Sequence, residues 1–187
     1  NSFSLSCTGS GGSHSASTTV ESYQTFNGAV VDDYIRGSVV FIDTNNNYSR
    51  ENSEYATTTD YEGKFSNLRY SNSNLISSGG FDLDTGILLD RFFLLNKLSS
   101  HRDFIVITPI TTVAAFMQAP EDINKILGID ASININTTDP AANLTNGGIY
   151  NHLYETGNQV TVMALSLQNA INAYNTSIDN TKDYFKG

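Results

Sequence analysis

A chain of 187 residues with 39% hydrophobic content carries enough apolar material for one sizeable domain, or for two small lobes sharing a core. Nineteen acids against ten bases give a net charge of −9 on a chain only 16% charged; such a surface repels phosphate backbones and anionic membranes, so nucleic acid is excluded as a partner, while hard cations that want oxygen ligands are favoured. The lone cysteine, Cys7, forms no intrachain disulfide, and no apolar run approaches the roughly 20 residues of a membrane helix.

Residues 1–22 are rich in Ser, Gly and Thr, the composition of a linker or tether. Here "LSC" followed by "TGSGGS" looks like the end of a lipoprotein export signal, which makes Cys7 a candidate lipid anchor, although Ser4 stands where an aliphatic residue is usual. A surface linker with one thiol is the plainer reading. A chain that begins at Asn1 is expected to be a processed export product or a domain excised from something longer. A further alternative is that this segment adds as a strand to a neighbour's sheet edge and so drives self-assembly.

From Thr25 to about Leu94 the signals are those of strands. "FNGAVV", "GSVVFID", "YATTT", "GKFSNL", "NLISSG" and "GILLD" are short β-branched or aromatic runs, each bounded by Gly, Asp, Asn or Ser. Their spacing predicts an antiparallel sandwich over about 23–107. Within it, "DYEG" at 60–63 predicts a tight turn with Gly63 at positive φ. After "FIVITP" the period changes: Thr108 is placed to cap a helix that starts at Pro109, Pro120 opens a second one, and Gly128 stops it. "ASININTTDPAANLTNGG" reads as a loop with turns. Leu153, Val160, Met163, Leu167, Ile171, Tyr174 and Ile178 then form one stripe on a helix of about 25 residues, expected to be core. Strands first and helices second is an α+β order, a single binding domain over 23–187 with its helical part at 108–187.

The most specific chemistry lies in "DTNNNYSRENSE" at 43–54. With Asp43 as position 1, Asn45, Asn47, Ser49, Glu51 and Glu54 take positions 3, 5, 7, 9 and 12 of a twelve-residue calcium loop, where alternate oxygens turn inward and the last glutamate can bind through both. Tyr48 falls at position 6, where glycine normally permits the sharp turn. Asn and Ser are common enough here for D-x-N-x-N to arise by chance; the glutamate at position 12 lifts the match. Strands flank the loop, where an EF-hand would have helices. Asp60, past the second strand, is a candidate further ligand.

"VVDDYIRGSVVFIDTNNNYSRENSEYATTTDYEGKFS" resembles β-sandwich modules of bacterial surface proteins, of the carboxypeptidase-regulatory-like or Cna-B-like kind, in which T-T-D-x-x-G-x-F follows an acidic loop. With "SSGGFDLDTG" and "VITPITTVAAF", the likeness extends to the ligand-binding module of large calcium-dependent adhesins of the repeats-in-toxin class and to related surface lipoproteins, over roughly residues 25–175. The resemblance implies Ca2+ as cofactor, an extracellular or bacterial cell-surface location, and adhesion through a protein or peptide ligand on another cell.

For that ligand, "SSGGFDLDTG" is the candidate site. Gly79 and Gly80 could expose consecutive N–H groups as an anion nest, with Asp82 and Asp84 holding a cation or the ligand's donors; a Gly-rich hairpin loop with solvated acids is the alternative. Asp32, Asp33 and Tyr34 are candidates for the same pocket, or ordinary turn residues, and Tyr61 and Tyr70 are candidate walls. No G-x-S-x-G, H-E-x-x-H, P-loop or G-x-G-x-x-G occurs, and His101 and His152 have no partner at metal spacing, so a binding protein is expected and not an enzyme.

Overall fold

The computed structural model describes residues 2–19, 23–89 and 93–184. The segment expected as a tether forms an antiparallel hairpin in it: β1 (Ser2–Gly9) pairs with β2 (Gly12–Thr19) from Ser2 opposite Thr19 to Gly9 opposite Gly12. Gly12 takes φ 121° at the turn, a conformation in which a side chain would be strained.

The sandwich is built from β3 (Thr25–Val30), β4 (Ile35–Arg36), β5 (Val39–Asp43), β6 (Ala56–Thr58), β7 (Lys64–Arg69), β8 (Asn74–Ser78), β9 (Phe81–Asp82), β10 (Phe93–Lys97) and β11 (Phe104–Ile107). One sheet runs β10-β8-β5-β6 and is antiparallel throughout. The other runs β11-β3-β7, where β3 and β7 are antiparallel but β11 lies parallel to β3, a departure from the all-antiparallel expectation. A short β4–β9 pair clips one corner. "GILLD" contributes a single bridge, Leu88 to Phe81, and "FLLNK" supplies β10 instead.

Period-2 alternation divides the apolar residues between two layers. Val40, Ile42, Leu75 and Leu94 point from the four-stranded sheet into the core, where they meet Phe26, Val30, Phe65, Leu68, Ile105 and Ile107 of the other sheet. Full burial of each such side chain contributes roughly 1.5–3 kcal/mol. The alternate residues Phe41, Ile76 and Leu95 face outward and are covered from the helical side, with Ala115 against them. Asn96 ties β10 to β11 by donating to the Val106 carbonyl at 2.7 Å. Glycine is needed at position 28 between β3 and β11: a Cβ there would lie 2.1 Å from the Ile105 carbonyl oxygen.

The helical part begins as expected. The Thr108 hydroxyl accepts from the Thr111 N–H and the Thr111 hydroxyl accepts from the Thr108 N–H, a reciprocal cap on α1 (Pro109–Phe116). A 3-10 turn at 120–122 leads into α2 (Ile123–Ile126), and Gly128 ends it at φ 66°. Ile133 and Ile135, in the segment read as a loop, are buried with Ile110, Ala114, Ile123, Ile129 and Leu153 in a second core. The last helix, α3 (Ile149–Tyr184), has 36 residues, about 54 Å at 1.5 Å per residue, longer than the sequence predicts. Its stripe is not the core it was expected to be. Leu153 is 3% exposed, but Met163 is 72%, Leu167 64%, Ile171 50% and Tyr174 66% exposed, because the helix outruns the body it packs on. The side chain of Ile178 lies outside the described residues.

Candidate functional site

The 43–54 loop leaves the end of β5 and is organised around Asp43, which is fully buried. Its Oδ1 accepts from the Asn47 N–H (3.2 Å) and its Oδ2 from the Tyr48 N–H (3.1 Å). Asn45 Oδ1 also accepts from the Asn47 N–H at 3.2 Å, and Asn47 Oδ1 from the Ser49 N–H at 2.8 Å. The amides at positions 3 and 5 thus curl the chain back over the carboxylate at position 1. Asn47 Nδ2 donates to Glu51 at 2.8 Å. Glu54, 7% exposed, closes the ring: its two carboxylate oxygens accept from the Thr44 N–H (2.9 Å) and the Glu51 N–H (3.0 Å).

The loop accommodates Tyr48 at position 6 through a left-handed backbone. Tyr48 has φ 58°, as does Asn46 two residues earlier. Asn46 is pinned by a 2.8 Å bond from Asn74 Nδ2, and the Tyr48 ring lies 6.4 Å from Phe93 and 5.9 Å from Phe116, centroid to centroid. Two carboxylates are therefore buried in one turn, while the single ion pair among the described residues is Lys64 with Glu62. Buried charges are usually paired with a base or hold a metal. No three His, Cys, Asp or Glu side chains converge as a metal site among the described residues; the side chains that accompany Asp43 and Glu54 in the turn are the amides of Asn45 and Asn47.

Asp60 is not brought to this loop. It sits past the far end of β6, where its Oδ1 accepts from the N–H groups of Glu62 (2.8 Å) and Lys64 (2.9 Å) in the predicted turn, with Gly63 at φ 70°.

Gly79 and Gly80 take left-handed backbone at φ 66° and 106°. A Cβ on Gly80 would lie 2.7 Å from Ile35 Cγ2 and 2.8 Å from the Arg36 carbonyl oxygen, so glycine is needed there for strand β4 to approach. Asp82 accepts from the N–H groups of Asp84 (2.9 Å) and Thr85 (3.2 Å) and from the Thr85 hydroxyl (2.7 Å), which spends its carboxylate on its own turn; Asp84 is exposed beside it. Asp32 accepts from the Thr161 hydroxyl at 2.9 Å, and Tyr34 donates to Asp139 at 2.9 Å. Both clamp the β3–β4 turn to the helical part. The space enclosed beside Asp32 is about 10 Å³, room for one water at most. Burial pushes the Asp32 carboxyl up to about 6, with Asp33 and Asp82 adding to the rise and the Thr161 hydroxyl opposing it. Burial likewise raises Asp33, with Asp84 and Asp82 adding.

A groove of about 580 Å³ opens on the other side of Gly80, lined by Arg36, Thr59, Asp60, Tyr61, Phe81 and Leu88. The Arg36 guanidinium stands 5.8 Å from the Tyr61 ring centroid and 5.3 Å from that of Phe81. Tyr61 is 82% exposed and Leu88 58%. Tyr70, by contrast, packs edge-on to Phe26 and His101 and belongs to the core. Arg36, Phe81 and Leu88 were missed from sequence. The available signal was "YIRG", a base between an aromatic and a glycine in a chain with few bases.

No family model, curated protein or solved structure matches the chain.

Proposed function

We propose that this chain is an extracellular, calcium-stiffened binding module of a bacterial surface protein, of the kind seen in large repeats-in-toxin adhesins, which engages a protein or peptide ligand. The observation that carries the reading is the burial of Asp43 and Glu54 in one amide-rich turn, with no ion-pair partner for either among the described residues. Asp43, Asn45, Asn47, Glu51 and Glu54 are the side chains that would hold the ion, with Ser49 giving its carbonyl. The ion would supply positive charge to a loop that otherwise concentrates acids; the chain's own contribution is the set of backbone N–H bonds that hold the Asp43 and Glu54 carboxylates within the turn. Ligand contact falls to the Arg36–Tyr61–Phe81 groove, where a guanidinium framed by rings offers charge and apolar area together.

Calorimetric titration of chelator-treated protein with Ca2+ tests the proposal. Saturable binding that Asp43→Asn with Glu54→Gln abolishes supports it; absence of binding at millimolar Ca2+ by wild type refutes it.

A second reading, a subunit or spacer of a surface assembly, rests on the β1–β2 hairpin. It is a two-stranded sheet of its own, and strand edges recruit further strands. Removing residues 1–22 would abolish assembly if that reading holds.

A further inference from the structure

A cleft of about 830 Å³ opens between the end of β10 and the helical part, and it shares no lining residue with the Arg36 groove. Its size is that of a ligand cavity. The floor is apolar, with Leu98 from the first core and Ala114, Ile123 and Ile133 from the second. One wall is fixed before any ligand arrives. Asn124 Nδ2 donates to the carbonyls of Asp130 (3.1 Å) and Ile133 (2.8 Å), and the Val106 N–H donates to the Asn136 carbonyl at 2.9 Å, so the segment between is tied to α2 at one end and to β11 at the other.

The opposite wall ends in an open strand edge. Strand β10 is the outermost strand of its sheet, with β8 on one side only. Along an antiparallel strand the N–H and C=O groups turn alternately toward the partner and away from it. Leu95 turns away from β8: its N–H donates to Thr112 Oγ1 at 2.9 Å and its C=O accepts from the Thr111 hydroxyl at 2.8 Å. Leu98 turns back, donating its N–H to the Ser73 carbonyl at 3.2 Å. Lys97, two residues past Leu95, therefore presents its N–H and C=O on the edge that faces away from β8, and no hydrogen bond to either is formed among the described residues. Two threonines of α1 cover the edge at Leu95; nothing in the chain does so at Lys97, which lines the cleft. Such an edge pairs with an added strand.

The remaining lining selects among ligands. The side chains of Asn72, Gln118 and Asn136 have no hydrogen-bond partner among the described residues, and an amide donates and accepts as a peptide group does. No aromatic ring lines the cleft, so a saccharide finds no face on which to stack. Its one base and one acid, Lys97 and Glu121, are both exposed, and the floor offers a charge no partner; a side chain turned inward has to be aliphatic.

We propose that this cleft binds an extended peptide segment of another protein, which adds to the β10 edge at Lys97 and lays an aliphatic side chain on Ile123 and Ile133. The site is separate from the calcium loop and from the Arg36 groove.

NMR titration of the isotope-labelled full chain with a blocked hexapeptide alternating Thr and Val tests it, carried out in chelator so that the outcome does not depend on the calcium reading. Saturable shifts are expected at Lys97, Gln118 and Asn136, with the Lys97 N–H moving downfield as it gains an acceptor. A counterpart N-methylated along its main chain, and one with Asp in place of Val, should each bind at least about tenfold more weakly. Ala131→Trp, an exposed position on the lining whose new ring fills the cleft, should remove the shifts and leave the urea midpoint in place. No shift at millimolar peptide, shifts confined to the Arg36 groove, equal binding of the N-methylated peptide, or a folded Ala131→Trp variant that still binds would each overturn the proposal. So would maltohexaose moving the same amides where the peptide does not.

Discussion

Tyr48 shows how a single residue is held against its own preference. A left-handed φ costs an L-residue roughly 1–2 kcal/mol, and Tyr48 takes φ 58° at the position where a calcium loop ordinarily has glycine. Two things offset the cost: the Asp43 carboxylate accepts its N–H, and its ring rests on Phe93 and Phe116. Tyr48→Gly removes both the strain and the ring contacts, so the net change in stability is expected to stay within about 1 kcal/mol, and Ca2+ affinity measured by titration should be retained. Asp43→Ala is different. It leaves the N–H groups of Asn47 and Tyr48 without their charged acceptor, which should cost roughly 3 kcal/mol in urea unfolding and abolish Ca2+ binding. The turn at 43–54 was legible in the sequence because its hydrogen bonds are local, Asp43 accepting from residues four and five further on. Arg36 was not, because its place between Tyr61 and Phe81 depends on strands 45 residues apart meeting at one corner, β4 with β9.

At the scale of elements, local signals and long-range packing part company. Thr108 and Pro109 start α1 where predicted, since a cap needs only its own turn. The parallel pairing of β11 with β3, and the exposure of α3 beyond its first turns, depend on partners far along the chain, and periodicity says only that a face is apolar, not that the molecule is long enough to cover it. That pairing rests on Gly28: Gly28→Ala drives a methyl into the Ile105 carbonyl and should destabilise the domain by more than about 3 kcal/mol in urea unfolding. The clamp between the β3–β4 turn and α3 makes a pH-dependent contribution. Burial, with Asp33 and Asp82 nearby, lifts Asp32 from its ordinary 3.8 to about 6, so between those values the folded chain keeps a proton that the unfolded chain gives up. The contribution is therefore present in full below about pH 4 and is lost as pH rises through 6. Asp32→Asn keeps an acceptor for Thr161 without the charge. Its stability relative to wild type, from urea midpoints in chelator, should be near parity at pH 4, should increase as pH rises to about 6 and should level off above it.

For the whole molecule, the placement of the loop and the groove matters most. They lie at opposite ends of the β5–β6 pair: Asp43 and Glu54 at one end, Gly37, Thr59 and Asp60 at the other, joined by the ladder Val39–Thr58, Val40–Thr57 and Phe41–Ala56. An ion at one end touches no group of the groove directly. If Ca2+ binds as proposed, it would act on the groove by holding the register of that short ladder, because β6 has only three residues and depends on the turn before it. Ca2+ at a hundredfold excess over its Kd stabilises the fold by about 2.7 kcal/mol, which for a domain of this size raises Tm by roughly 5–10 °C. Hydrogen exchange should then show where that free energy is stored. On chelation, the amides of Asn47, Tyr48 and Ser49 and the N–H groups bonded to Glu54 should lose protection first, followed by β6. The buried ladder between β5 and β8, from Val39–Ser78 to Asp43–Asn74, should keep its protection. If β6 and the loop exchange alike with and without Ca2+ while Tm rises, the ion binds elsewhere, and the 43–54 turn is held by its own hydrogen bonds alone.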